Sequence, residues 1–186
     1  QERKGADGMF TLVVGGAASG KSEYAEQLIL RAGALPRYYV ATMEPFGAEA
    51  RARIARHRVL RAQKRFETIE CPVGLSRVLL PARGAALLEC LSNLAANELY
   101  SPAGAGGEQA ALAAVVDGVE SLRRQCEALV VVTGEVFSGG SAYAGDTGTY
   151  LRVLAAANRA LAARADAVCE VACGLPRYYK GEGAAL

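Results

Sequence analysis

Phe10-Thr11-Leu12-Val13-Val14-Gly15-Gly16-Ala17-Ala18-Ser19-Gly20-Lys21-Ser22 decides the reading of this 186-residue chain. The apolar run Phe10 to Val14 ends at a Gly-Gly pair and reads as a buried strand. Gly15 to Ser22 fits the phosphate-loop pattern G-x-x-x-x-G-K-[ST] in full. From Ser22 to Ala32, Tyr24, Ala25, Leu28, Ile29 and Ala32 form a helical stripe. Strand, loop and helix thus follow in the order such a loop requires. The small residues let backbone N–H groups converge on phosphate oxygens, and the helix N-terminus adds partial positive charge. Lys21 reaches the β- and γ-phosphates, and the Ser22 hydroxyl is placed to ligate Mg²⁺. A glycine-rich turn that binds nothing does not account for all four fixed positions. The motif implies a nucleoside triphosphate but not its base or the acceptor.

The rest of the chain repeats the alternation. Arg37 to Ala41 follows Pro36 and reads as a second strand. Ala48 to Phe66 is a charged, Ala-rich helix with Ile54 and Leu60 as anchors. Glu67 to Cys71 reads as a short strand and Val73 to Leu80 as a short helix. Ala85 to Glu89 is a buried strand and Leu91 to Tyr100 a helix. Ser101 to Gly107 reads as a flexible surface connection. Glu108 to Cys126 is a long helix, Leu129 to Thr133 a strand, Phe137 to Gly148 a Gly- and Ser-rich working loop. Thr149 to Arg164 is helical, and Ala167 to Ala172 is the last core strand. Such alternation implies βαβ units: an α/β fold with a mostly parallel sheet covered on both faces.

Composition narrows the class. At 52% hydrophobic and 22% charged residues the chain is not disordered. Lys plus Arg is 21 and Asp plus Glu is 19, a net charge of +2, which argues against a protein built around long nucleic-acid tracts while leaving room for a local basic patch. Trp is absent and aromatics make up 6%, leaving little for base stacking. No apolar run approaches the ~18 residues of a membrane span. Residues 1–8 are polar and lack the core of a signal peptide, so they read as an N-terminal extension or an expression remnant. Residues 9–186 then form a single domain. The five cysteines are an odd number without a C-x-x-C pair, which points to a reducing cytoplasm rather than to disulfides or zinc.

Two further positions draw chemistry. Glu89, ending the run Ala85 to Glu89, is the candidate metal partner at the end of a neighbouring strand. It would bind Mg²⁺ or its water, or take a proton from an acceptor hydroxyl. An acid capping the next helix has the same pattern. His57, the sole histidine, lines up with Arg53 and Arg61 at helical spacing. A row of cations attracts phosphate and keeps a neutral imidazole nitrogen available as nucleophile. A solvated basic face has the same spacing, and the residues alone favour it.

Taken together the segments resemble the bifunctional adenosylcobinamide kinase/adenosylcobinamide-phosphate guanylyltransferase family. The landmarks run in order: the phosphate loop; Tyr39-Val40-Ala41-Thr42; Arg53-Ile54-x-x-His57; Thr68-x-Glu70; Leu87-Leu88-Glu89-Cys90-Leu91; Asn97; Val132-Thr133-x-Glu135-Val136; and Asn158. The resemblance covers Met9 to about Lys180. It implies a RecA-like P-loop fold, a homotrimer, and Mg²⁺ with ATP and GTP as substrates. It implies phosphorylation of adenosylcobinamide, then GMP transfer from GTP through a GMP-histidine, which by position is His57. Lys21 and Glu89 would join His57 in catalysis. Nucleotide contacts would fall on Gly15, Gly16, Ala17, Ala18, Ser19, Gly20, Lys21, Ser22, Val40, Ala41, Thr42, Arg58, Val59, Leu60, Arg61, Glu70 and Glu89, and metal contacts on Ser22 and Glu89. One departure is Thr133-Gly134-Glu135-Val136-Phe137, where the family commonly has T-N-E-V-G. The amide side chain is missing, and the loop Ser138 to Gly148 also differs. Another small-molecule P-loop kinase without guanylyl transfer, or a RecA-type nucleotide-dependent interaction module, remains the alternative.

Overall fold

The computed structural model describes residues 8–44, 59, 63–135 and 146–181. Seven strands form one sheet: β1 (Met9–Gly15), β2 (Arg37–Ala41), β3 (Phe66–Glu70), β4 (Gly84–Glu89), β5 (Cys126–Gly134), β6 (Ala167–Ala172) and β7 (Leu175–Lys180). Their order across the sheet is β3-β2-β4-β5-β1-β6-β7. All pairings are parallel except β6 with β7. The helices are α1 (Lys21–Ala32), α2 (Leu91–Tyr100), α3 (Glu108–Arg124) and α4 (Asp146–Arg164).

The central strands are covered on both faces, so they read as continuous apolar runs. Side-chain alternation splits them between two cores. Phe10, Leu12, Ala86, Leu88, Leu129 and Val131 pack with Leu94, Val115, Leu122 and Leu154 of α2, α3 and α4. Val13, Leu87, Val130 and Val132 pack with Ala25 and Ile29 of α1 on the other face. The mostly parallel, two-faced P-loop architecture expected from the sequence is what the sheet shows. None of the described helices is long and apolar enough to cross a membrane.

Several boundaries differ from expectation. Phe66 does not end a helix: Lys64 and Arg65 form a turn and Phe66 opens β3, while Val59 and Gln63 are helical and the rest of 45–62 lies outside the described residues. Val73 to Leu80 holds one 3₁₀ turn, Leu75–Arg77, not a longer helix. The Gln125 side chain takes the backbone instead, donating to Val78 O at 3.0 Å and accepting from Leu80 N–H at 2.9 Å. Gln125 also caps α3, so Cys126 starts β5 rather than ending the helix. The Ser101 to Gly107 connection is hydrogen-bonded within itself and back to Glu98, whose side chain receives the Ala105 N–H at 2.9 Å.

The seventh strand was not expected at all. Cys173 and Gly174, both at positive φ (51° and 77°), turn the chain in a two-residue hairpin. β7 is an antiparallel edge strand, exposed at most positions, so it carries no alternation to read.

Candidate active site

β1 delivers the phosphate loop to the C-terminal edge of the sheet, and α1 starts at Lys21 itself. Gly20 stands at the helix N-cap with φ 87°, a left-handed conformation that suits glycine, and no side chain caps the first turn. The leading amides of α1 are therefore directed to the loop. Lys21 Nζ bridges the loop, donating to Gly16 O at 2.9 Å. Ser19 Oγ is buried without a hydrogen-bond partner. A buried orphan hydroxyl is costly, and in a phosphate loop it marks a place for an anionic acceptor.

The end of β4 meets this loop. The Ser22 hydroxyl donates to Glu89 Oε1. The two residues come from α1 and from a strand two positions away from β1, because β5 lies between β1 and β4. Glu89 is thus not on the strand beside the phosphate loop, as the sequence suggested, but one strand further. Its side chain lies on the α1 face, by alternation with Leu87, which is what lets it reach Ser22. Glu89 Oε2 accepts from the Tyr39 hydroxyl at 2.6 Å. Among the described residues no three His, Cys, Asp or Glu side chains gather as a metal cage. Two adjacent hard oxygens suit Mg²⁺, which takes few protein ligands and completes its shell with phosphate and water.

The remaining candidates divide. Ala41 is in register with Glu70 of β3 on one side and Glu89 of β4 on the other. Glu70, Ala41 and Glu89 therefore sit level at the same edge. Val40 packs into the core and is fully buried. The Thr42 hydroxyl is engaged with Cys90, donating to its O and accepting its N–H, each at 2.8 Å. Val59 is exposed and helical. Arg53, His57, Arg58, Leu60 and Arg61 lie outside the described residues.

The sequence matches the cobinamide kinase / cobinamide phosphate guanyltransferase family over residues 11–178. The chain belongs to this family. It is similar to the bifunctional adenosylcobalamin biosynthesis protein CobP of Pseudomonas aeruginosa, 31% identical over 94% of this chain and 99% of that protein. The corresponding protein CobU of Salmonella typhimurium is 32% identical over 90% of this chain and 97% of its own length. Among solved structures, a KaiC-like protein of Pyrococcus horikoshii overlays 88% of this chain and 71% of its own, with 14% identity and a TM-score of 0.47. The sheet order β3-β2-β4-β5-β1-β6-β7 defines the fold directly.

As a member of the cobinamide kinase/guanylyltransferase family the chain is an enzyme, and the family landmarks can be given structural jobs. Asn97 donates to Thr42 O at 2.8 Å and to Pro72 O at 2.9 Å, tying the ends of β2 and β3 to α2. Thr133 donates to Asn158 Oδ1 at 2.8 Å, holding α4 to β5. Gly134 pairs with Gly15 across the sheet. Its N–H is donated to Ser92 Oγ at 2.8 Å, and Ser92 in turn bonds Tyr150. Burial raises the Tyr150 phenol above its usual range and keeps it neutral. Sequence reasoning missed Ser92 and Tyr150. Nothing local marks them, since α2 and α4 meet β5 only in three dimensions. The expected loop Phe137 to Gly148 falls partly outside the described residues. Its last members, Asp146 to Gly148, are in the first turn of α4.

Proposed function

We propose that this chain phosphorylates adenosylcobinamide with ATP or GTP and then transfers GMP from GTP to the new phosphate. The observation that carries the reading is the junction of Ser22 with Glu89 beside Lys21, set within a chain that matches the family over nearly its whole length. In the first reaction the acceptor oxygen attacks the γ-phosphorus and the nucleoside diphosphate leaves. Lys21 and the loop amides stabilise the charge on the transferring group. Ser22 and Glu89 hold Mg²⁺, which neutralises phosphate charge when bound. The alternative role for Glu89, in place of holding the ion, is to take the acceptor's proton.

In the second reaction the His57 imidazole attacks the α-phosphorus of GTP and pyrophosphate leaves from the same loop. A phosphate oxygen of adenosylcobinamide phosphate then attacks the GMP-histidine, giving adenosylcobinamide-GDP and freeing His57. Splitting the transfer in two replaces one difficult step with two easier ones. Arg53, Arg58 and Arg61 steady phosphates near His57. Val40, Ala41, Thr42, Val59, Leu60 and Glu70 contribute to the nucleotide site. The catalytic unit is one domain, 9–186, in a cytoplasmic homotrimer.

The test is labelling without acceptor. The protein is incubated with Mg²⁺ and GTP labelled on the α- or γ-phosphate, then denatured. The expected result is α-label that survives alkali, is released by acid and is absent from His57→Ala. That variant should keep phosphorylating adenosylcobinamide. Tight GTP binding with no α-label would reduce the protein to a kinase or a nucleotide-binding module.

A further inference from the structure

Tyr38 and Tyr39 are neighbours on β2 and both rings are buried, 1% and 4% exposed. Alternation sends them to opposite faces of the sheet. Tyr38 lies in the core beneath α2, α3 and α4. Its hydroxyl closes a local loop, donating to Ala82 O and accepting Ala82 N–H, both at 3.1 Å. Tyr39 lies on the α1 face, edge-on to Phe66 with ring centroids 6.0 Å apart and planes at 89°. Its hydroxyl donates not to backbone but to Glu89 Oε2, at 2.6 Å.

The register explains the reach. Tyr39 pairs with Leu87, and Ala41 pairs with Glu89. The tyrosine therefore starts two residues below the carboxylate on the same face. Ala41, between them on that face, presents only a methyl group. Glu89 is left with one oxygen on Ser22 and the other on Tyr39. A carboxylate held at a single oxygen can rotate about its last bond. Anchored at both, it keeps Oε1 toward the phosphate loop. A ring that served only to fill the core would do so equally well as phenylalanine.

We propose that Tyr39 is a positioning residue for the reaction, fixing the rotation of the Glu89 carboxylate so that Oε1 meets Ser22. This rests on the role given to Glu89 above. Partners of this kind, one bond removed from the ion, set metal affinity by orienting the ligand.

Tyr39→Phe keeps the ring and its contact with Phe66 and removes only the hydroxyl. The measurement is GTP affinity by calorimetry as a function of Mg²⁺ concentration, with Mn²⁺ binding to the GTP complex followed by electron paramagnetic resonance. Y39F should bind GTP in EDTA as the wild type does. Its half-saturating Mg²⁺ should rise about tenfold, and its Mn²⁺ affinity should fall by a similar factor. Tyr38→Phe should lower Tm but leave the Mg²⁺ dependence alone. Glu89→Gln separates the two ideas. If E89Q shifts the Mg²⁺ dependence and Y39F does not, the Tyr39 inference fails and the Glu89 role stands. If E89Q shifts nothing, the Glu89 role fails and takes the inference with it. Should Y39F be destabilised, the titration is made at a temperature where both proteins are folded, and Y39F/E89Q is measured beside both single variants. A Y39F effect that disappears in the E89Q background supports the inference, and one that is additive there overturns it.

Discussion

The amide of Gly174 donates to the carbonyl of Ser19 over 2.8 Å, joining the tip of the β6–β7 hairpin to the phosphate loop. The approach is close: a Cβ on Gly20 would stand 3.0 Å from Gly174 Cα. Tyr24 of α1 and Tyr178 of β7 add a second link, their hydroxyls 2.6 Å apart. The edge hairpin therefore braces both the loop and the helix it starts. Gly174 has φ 77°, so Gly174→Val strains the turn by about 1–2 kcal/mol. We expect a lower Tm together with weaker GTP binding by calorimetry. A lower Tm with unchanged GTP affinity would show that the hairpin supports the fold but not the loop.

Lys21 is the one side-chain cation the sequence motif places at the phosphates in both proposed reactions. Lys21→Ala should lower kcat for phosphorylation and for GMP transfer alike, each by about 10²-fold or more. His57→Ala, in contrast, should affect GMP transfer alone. Parallel assays of the two steps check this. Loss of one activity only in K21A would mean that the two reactions do not share the loop.

Glu98 is a buried carboxylate with a different duty. It is 2% exposed and accepts the Gly74 N–H at 2.6 Å and the Ala105 N–H at 2.9 Å. One side chain on α2 thus pins two separate loops. Glu98→Ala leaves both amides without their acceptor, a loss of about 2–4 kcal/mol in urea unfolding. GTP affinity should stay near the wild-type value, because the two amides that Glu98 holds, of Gly74 and Ala105, belong to segments other than Gly15 to Ser22. Unchanged unfolding free energy would mean that water replaces the carboxylate at both amides.

What was legible in the sequence follows from what is local. Phe10 to Ala32 carries strand, turn and helix within twenty-three residues, so the fold class was readable from it. Ala85 to Glu89 announced a doubly covered strand by its unbroken apolarity. Strand order was not local: nothing in the run of residues says that β5 slips between β1 and β4. Gln125 was equally silent, since its bonds to Val78 and Leu80 span more than forty residues and decide where two elements end. β7 was missed because an exposed edge strand needs no apolar alternation, and Cys173-Gly174 is not one of the dipeptides that announce a two-residue hairpin. At the site, the motif named Ser22 and position named Glu89. Tyr39 entered only as part of a family landmark, because its hydroxyl finds Glu89 through β2–β4 register.

The buried thiols make the fold sensitive to alkali. All five cysteines are free, and burial pushes Cys126 up to about 12 and Cys169 to about 11. Cys71 is raised to about 11 by burial first and then by the nearby Glu98 charge. In the unfolded chain these thiols ionise near ~8.5. Between the two values the unfolded state holds fewer protons than the folded one, so stability falls as pH rises. The loss sets in above about pH 8.5 and continues toward the folded values. Each fully buried thiol contributes a slope approaching about 1.4 kcal/mol per pH unit. Cys126→Ala removes one such contribution. Urea unfolding at several pH values should therefore give a shallower decline for C126A than for the wild type, whatever its absolute stability at neutral pH. Parallel declines would mean that Cys126 ionises alike in both states and that other groups carry the alkaline loss.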